Sequence, residues 1–211
     1  MNESDHDADF DLTTEVLDPQ GGLVQQISTT HTLQKGSKDQ FVHSLKMESP
    51  ALWSPATPHL YQVRVTVKSH GTPVDQETTT FGIREVQFDA DRGFLLNGAH
   101  LKLNGVCIHS DGGSVGTAVP ERIWERRLEL LQQMGCNAIR LSHNPPAPEL
   151  LDMLDRMGFL VMAEAFDEWK QPKGQTPLYG YHKYFDEWSE RDLAAMLERD
   201  RNCLLYTSRC V

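Results

Sequence analysis

Two histidines, an arginine, an asparagine and two carboxylates fall just beyond, or inside, three short apolar runs. Leu103-Asn104-Gly105-Val106-Cys107-Ile108 ends in His109-Ser110-Asp111, and Asn137-Ala138-Ile139-Arg140-Leu141 ends in Ser142-His143-Asn144. Phe159-Leu160-Val161-Met162-Ala163 ends in Glu164, with Asp167-Glu168-Trp169 close behind. Imidazoles can give or take a hydrogen bond near neutral pH, and a guanidinium offers a rigid fork of donors. Glu164 and Asp167 could hold Arg140, a sugar hydroxyl or a metal. A single histidine at a strand end is more often a packed or capping residue. Two at equivalent positions, His109 and His143, shift the balance towards a site.

Arg140 alternates with apolar neighbours in what reads as a buried strand. A charge there is costly unless paired, so a carboxylate partner is expected. The plain alternative is a purely structural ion pair.

Helical patterns separate the three runs, giving strand, helix, strand, helix, strand. Parallel strands connected this way open their C-terminal ends on one face, where an α/β barrel carries its active site. Pro120 suits a first helical turn. Ile123, Trp124, Arg127, Leu128, Leu131 and Met134 then form one stripe, which Gly135 ends. A second helix starts at Pro148, buries Leu150, Leu151, Leu154 and Met157, and stops at Gly158. A third is expected from Ser189, which has capping-box spacing to Asp192, to Asn202. The strand starts near 103, 137 and 159 repeat at ~28 residues, close to the ~31 of a (β/α)8 barrel. His109-Ser110-Asp111-Gly112-Gly113 is not a GxGxxG turn, which argues against a dinucleotide fold.

Before residue 88 the period is two. Tyr61, Val63, Val65 and Val67 alternate with polar neighbours, a strand with one wet face. Further strands are expected at Thr13–Leu17, Leu23–Leu33, Phe41–Met47 and Thr78–Phe81, punctuated by glycines and by Pro50, Pro55 and Pro58. Short strands at this spacing predict a β-sandwich, and with too few cysteines for the disulfide-pinned immunoglobulin type its core must rest on packing alone. Asn97-Gly98 inside Phe94–Leu103 is the pair that a type I′ hairpin wants.

The 211 residues carry a formal net charge of -10 with pI near 5.3, which excludes a basic nucleic-acid surface. Apolar runs of about five or six residues fall far short of the ~20 that span a bilayer. Met1-Asn2-Glu3-Ser4-Asp5 does not read as a signal peptide. Cys107, Cys136, Cys203 and Cys210 show neither CxxC nor zinc spacing, and Cys107 and Cys136 read as buried thiols. Trp169, Tyr179, Tyr181 and Trp188 lie in and around a long loop, Lys170–Tyr184. Aromatics over a barrel mouth suit the apolar face of a sugar ring; packing the loop down is the plain alternative.

These segments taken together resemble glycoside hydrolase family 2, which includes β-galactosidases, β-glucuronidases and β-mannosidases. The resemblance rests on Phe81-Gly82-Ile83-Arg84, Leu96-Asn97-Gly98 and Leu103-Asn104-Gly105-Val106. It rests most on Gly135 to Pro146, with its Asn-Ala-Ile-Arg-Leu-Ser-His-Asn-Pro-Pro run, and on Met157 to Asp167. Leu52-Trp53-Ser54-Pro55 and Pro58-His59-Leu60-Tyr61 look like the end of the family's immunoglobulin-like sandwich. The organisation implied is a sandwich over 1–88 and the first three β/α units of a TIM barrel over 89–202.

What the resemblance implies is a retaining β-glycosidase acting on a β-linked oligosaccharide or glycoside, by preference a β-galactoside, without a cofactor. Its acid/base and nucleophile glutamates follow later barrel strands, so neither is expected here. Arg140 matches an arginine beside the nucleophile, and His109 and His143 match histidines that bind sugar hydroxyls. Asn144, Glu164 and Asp167 fall in the same pocket wall. Ala163 stands where the family usually has Asp. The magnesium-binding Glu-x-His of some β-galactosidases falls at Glu168 and Lys170, so no metal is expected. After Asn202 the family continues with His-Pro, whereas this chain gives Cys203-Leu204-Leu205-Tyr206-Thr207-Ser208-Arg209-Cys210-Val211. That tail reads as foreign or out of frame, and the piece is expected to be inactive, although the whole protein could be a homo-oligomer. The rival readings are a carbohydrate-binding or structural sandwich module and a metal-dependent barrel hydrolase, the latter weakened by the lack of an HxH pair.

Overall fold

The computed structural model describes residues 1–174 and 179–201, which form two compact units. The suspected tail and Asn202, the expected end of the third helix, lie outside the described residues.

The first unit comprises Met1–Ala51 and His59–Ile83. Its strands β1 (Ala8–Leu17), β2 (Leu23–Leu33), β3 (Tyr61–Ser69) and β4 (Thr72–Phe81) form one antiparallel sheet in the order β2-β1-β3-β4. The valines of β3 lie opposite Leu12, Thr14 and Val16 of β1, which gives the sheet an apolar face. Arg64 pairs across the strands with Glu15 at 2.8 Å. β4 starts six residues earlier than expected. Its edge position tolerates Pro73, and His70 and Gly71, both at positive φ, make the tight turn before it.

Phe41–Met47, expected to be a strand, is not one and joins no ladder. It packs through side chains instead. Phe41 meets Phe10 edge-on with centroids 5.5 Å apart, and the His43 ring nitrogens lie 2.9 and 2.8 Å from the Thr14 and Thr29 hydroxyls. The sandwich expectation therefore resolves into one four-stranded sheet with the Phe41–Met47 segment packed on β1 and β2.

The second unit comprises Leu52–Pro58 and the chain from Arg84 onwards. A small antiparallel sheet of β5 (Val86–Asp89), β6 (Gly93–Leu96) and β7 (Ala99–His100) comes first. Asn97 and Gly98 at φ 53° and 77° make its turn, as the sequence predicts. Next come β8 (Gly105–His109), α1 (Glu121–Gln133), β9 (Ala138–Ser142), α2 (Pro148–Met157), β10 (Leu160–Ala163) and α3 (Phe185–Asp200). The last three strands form a parallel sheet in the order β10-β9-β8.

Asn137 locks the start of this sheet: its Oδ1 accepts from the Asn104 amide and its Nδ2 donates to the Lys102 carbonyl. Gly105 is required because a Cβ there would stand 2.5 Å from the Ala138 carbonyl oxygen. One sheet face, with Ile139, Leu141, Val161 and Ala163, packs on Trp124 and Leu128 of α1, Leu150, Leu151 and Leu154 of α2, and Met196 of α3.

Three expectations need correcting. Met134 lies beyond the last turn of α1 and is 74% exposed, so the apolar stripe ends at Leu131. Helix α3 starts at Phe185, four residues early, because Phe185 packs into an aromatic cluster. Asp192, the supposed capping partner of Ser189, instead accepts a hydrogen bond from Tyr181. Leu52–Pro58 packs with the second unit. Trp53 is fully buried there, donates from Nε1 to the Asp155 carbonyl of α2, and accepts at its own carbonyl from Asn97.

Candidate functional site

Strand register decides which side chains meet. Cys107, Arg140 and Met162 are cross-strand neighbours, and His109 is opposite Ser142. Alternation along a strand puts Cys107 and His109, Arg140 and Ser142 on one face, opposite the helices. This face is uncovered, so Arg140 is 43% exposed at its side chain rather than buried as the sequence suggested. Cys107 is likewise exposed and not a buried thiol, whereas Cys136 packs against the core.

Arg140 finds the carboxylate its strand position calls for. Its Nε and Nη2 lie 2.6 and 2.5 Å from Glu164 Oε1. His143 Nδ1 lies 2.9 Å from the other oxygen, Oε2, and the His143 ring stands edge-on to His109 with centroids 5.0 Å apart. Glu164 thus joins residues from two neighbouring strand ends. Burial pushes its carboxyl up, but hydrogen bonds from His143 and Arg140, and the charge on Arg140, outweigh this and hold it below its ordinary range. The hydrogen bond to Glu164 raises the Arg140 guanidinium in turn. Because Glu164 is ionised, His143 Nδ1 is the donor, and the ring presents Nε2 as its other polar atom.

His109, Arg140, His143 and Glu164 therefore form one cluster. Asp167 does not join it; it pairs with Lys173 at 2.7 Å. Asn144 lines a separate cavity of about 350 Å³ with Pro145, Phe166, Tyr181 and Arg199. Two members were missed. The Cys107 Sγ lies 2.7 Å from Ser142 Oγ and 3.4 Å from Arg140 Nη1. Both sit two residues from a chosen site residue, so strand alternation alone could have found them.

A second polar knot follows β10. Glu168 is nearly buried; its Oε1 accepts from the Lys173 amide at 2.5 Å, and its Oε2 accepts from the His182 amide and from His182 Nδ1 at 2.7 Å. The hydrogen bond from His182, then that from the Lys173 backbone, hold its carboxyl down at about 2. Lys170 pairs with Asp186. Among the described residues, no group of three or more His, Cys, Asp or Glu side chains could hold a metal ion.

Comparison with known proteins shows what this arrangement belongs to. The family model "Glycosyl hydrolases family 2" matches residues 1–84, and "Glycosyl hydrolases family 2, TIM barrel domain" matches residues 88–202. The chain belongs to glycoside hydrolase family 2. A family 2 relative, the beta-galactosidase BoGH2A of Bacteroides ovatus, is 45% identical over 202 residues, 96% of this chain and 23% of that protein. A putative beta-glucuronidase of Formosa agariphila is 40% identical over 177 residues, 84% of this chain and 17% of that protein. The crystal structure of a family 2 member from Bacteroides cellulosilyticus superposes with a TM-score of 0.86 at 40% identity, over 94% of this chain and 25% of its own. Bacteroides uniformis beta-glucuronidase 2 gives 0.81 at 32% identity, over 96% and 24%. The chain spans 17–26% of the length of the first two relatives and structures it matches.

Proposed function

We propose that this chain supplies one wall of the sugar pocket of a retaining β-glycosidase, with a β-galactoside as substrate. On this reading residues 1–88 are an immunoglobulin-like module, and 89–202 carry the first three β/α units of the barrel. The observation that carries it is the shared carboxylate of Glu164, which follows β10 and is bound to Arg140 in, and His143 just after, the neighbouring strand β9, with His109 at the end of β8 alongside. An ionised, doubly engaged carboxylate is a poor proton donor near neutral pH. Glu164 therefore orients Arg140 and His143, and these with His109 hold sugar hydroxyls. Asn144, which directly follows His143 in the chain, and Asp167, held by Lys173, stand outside this cluster and act only at the edge of the proposed pocket. The acid/base and nucleophile are supplied by other residues of the whole protein, and the 211-residue chain does not hydrolyse glycosides.

Relatives named beta-glucuronidases make a glucuronide the second reading. A glucuronate carboxylate wants a cation, and Arg140, Lys170 and Lys173 are each already paired with a carboxylate. That favours a neutral sugar. The test is saturation-transfer NMR of the chain with methyl β-D-galactoside and methyl β-D-glucuronide, alongside a chromogenic β-galactoside assay. Galactoside binding that disappears in Arg140→Ala, with no hydrolysis, is the expected result. Glucuronide preference would replace the substrate, and measurable hydrolysis would overturn the division of labour.

A further inference from the structure

We infer that the segment after β10 extends the sugar wall with an aromatic platform, centred on Trp169, that takes the next unit of a β-linked sugar chain. This rests on the glycosidase reading and names the class of substrate within it: an oligosaccharide rather than a small glycoside.

The structure separates the loop aromatics by what they already touch. Tyr181 is committed to packing: it stacks on Phe166 at 4.9 Å, and its hydroxyl donates to Asp192 at 2.5 Å. Burial, reinforced by that bond, pushes its phenol up to about 12. Trp188 carries the Arg191 guanidinium at 4.3 Å from its ring centroid. Trp169 differs. It stacks at 5.6 Å and 22° on Phe185, yet remains 47% exposed. A ring with one stacking partner and about half its surface exposed has room for a second partner. An indole buries ~150–250 Å² when covered, so leaving it open forgoes a large apolar contact.

The platform continues the proposed pocket. Phe185, under Trp169, also meets Phe166 at 5.5 Å, and Phe166 shares a cavity with Asn144 at the end of β9. Asn144 directly follows His143 in the chain, so a line of contacts through Phe166 and Phe185 leads from the residue beside the sugar wall to Trp169. The ion pairs Lys170–Asp186 and Lys173–Asp167 flank it with polar groups suited to hydroxyls. An open aromatic face inside a polar rim matches a pyranose ring, whose axial C–H groups make one face apolar while its hydroxyls point to the edge.

Hydrogen bonds tie together the chain beside the platform. Glu168, next to Trp169, ties down Lys173 and His182, and a Cβ on Gly180 would collide with the Glu168 carboxylate and the His182 ring. Glu168, Gly180 and His182 are therefore positioning residues for Trp169.

The test titrates the 211-residue chain with β-1,4-galactotetraose and with methyl β-D-galactoside, reading Kd by NMR. The tetrasaccharide should bind more tightly than the monosaccharide. Trp169→Ala should weaken the tetrasaccharide by about two- to twelve-fold, the worth of one aromatic stacking contact, and leave the monosaccharide unchanged. Trp169→Phe, which preserves stacking, should keep most of the preference, and Gly180→Ala should lose it. Equal binding of the two sugars, or a tetrasaccharide Kd indifferent to Trp169→Ala, would overturn the platform and leave the pocket standing. If neither sugar binds, both readings fall.

Discussion

The antiparallel sheet of the first unit and the parallel sheet of the second differ in how far along the chain each must reach to finish its core. β1 and β2, and β3 and β4, are joined by short turns, and Phe41–Met47 packs on β1 and β2 with residues from the same stretch. The parallel sheet needs a helix between each pair of strands, and it covers only its helix side. Its other face is not the apolar interior that an unclosed barrel would lead one to expect. Gly105, Cys107, His109, Ala138, Arg140 and Ser142 make it small or polar, with Leu160, buried at the strand starts, and Met162 as the large apolar exceptions. The uncovered face of the far-reaching sheet is where the chemistry sits.

That contrast can be broken at its strongest point first. Trp53→Ala empties the site of the largest fully buried side chain of the second unit and should cost about 3–5 kcal/mol there. Urea unfolding should show the second unit losing stability while hydrogen exchange in β1–β4 stays protected. Loss of protection in both sheets together would mean that they do not stand as separate cores. Gly158→Ala should be next, at about 1 kcal/mol or more. The residue sits at φ 76°, ψ 40°, and a Cβ would stand 2.5 Å from the Pro55 carbonyl oxygen, so strain and collision act together.

Smaller effects test the open face. Arg140→Ala removes two of the contacts that depress the Glu164 carboxyl, so its titration, followed by NMR, should move up. An unmoved midpoint would make His143 alone responsible. The mildest change is acidic. Glu168 lies at about 2 against an ordinary 4.5, so its contribution is complete above about 4.5 and is lost as pH falls towards about 2. Exchange at the Lys173 and His182 amides, corrected for the intrinsic rate, should rise across that window in the native protein and stay flat in Glu168→Gln.

Much of this was legible in the sequence where one local rule decided the outcome. β8, β9 and β10 start within two residues of their expected positions, α2 spans Pro148–Met157, and β2 spans Leu23–Leu33, each bounded by proline, glycine or polar residues. The Arg140–carboxylate pairing followed from the cost of a lone charge in a strand. What stayed hidden depends on partners distant in sequence. Phe41–Met47 has strand alternation, but whether it joins a ladder depends on which backbone lies beside it. Phe185 is helical because of Phe166 and Trp169, not because of a cap. The Glu168–His182 tie spans fourteen positions with no periodic signature.

The detour of Leu52–Pro58 has a consequence for inheritance. The chain leaves the first unit at Ala51, lends seven residues to the second, and returns at His59; the mouth of this excursion is pinned where the Ala51 amide donates to the Tyr61 hydroxyl. Neither unit is therefore a continuous stretch of gene. A recombination event that exchanged everything after residue 84 would deliver a sheet and helices without their own Trp53, seated against whatever indole and Pro55 carbonyl the recipient provides. Crossovers between relatives should survive only where that short peg and the Asp155 and Gly158 positions that receive it descend from compatible parents.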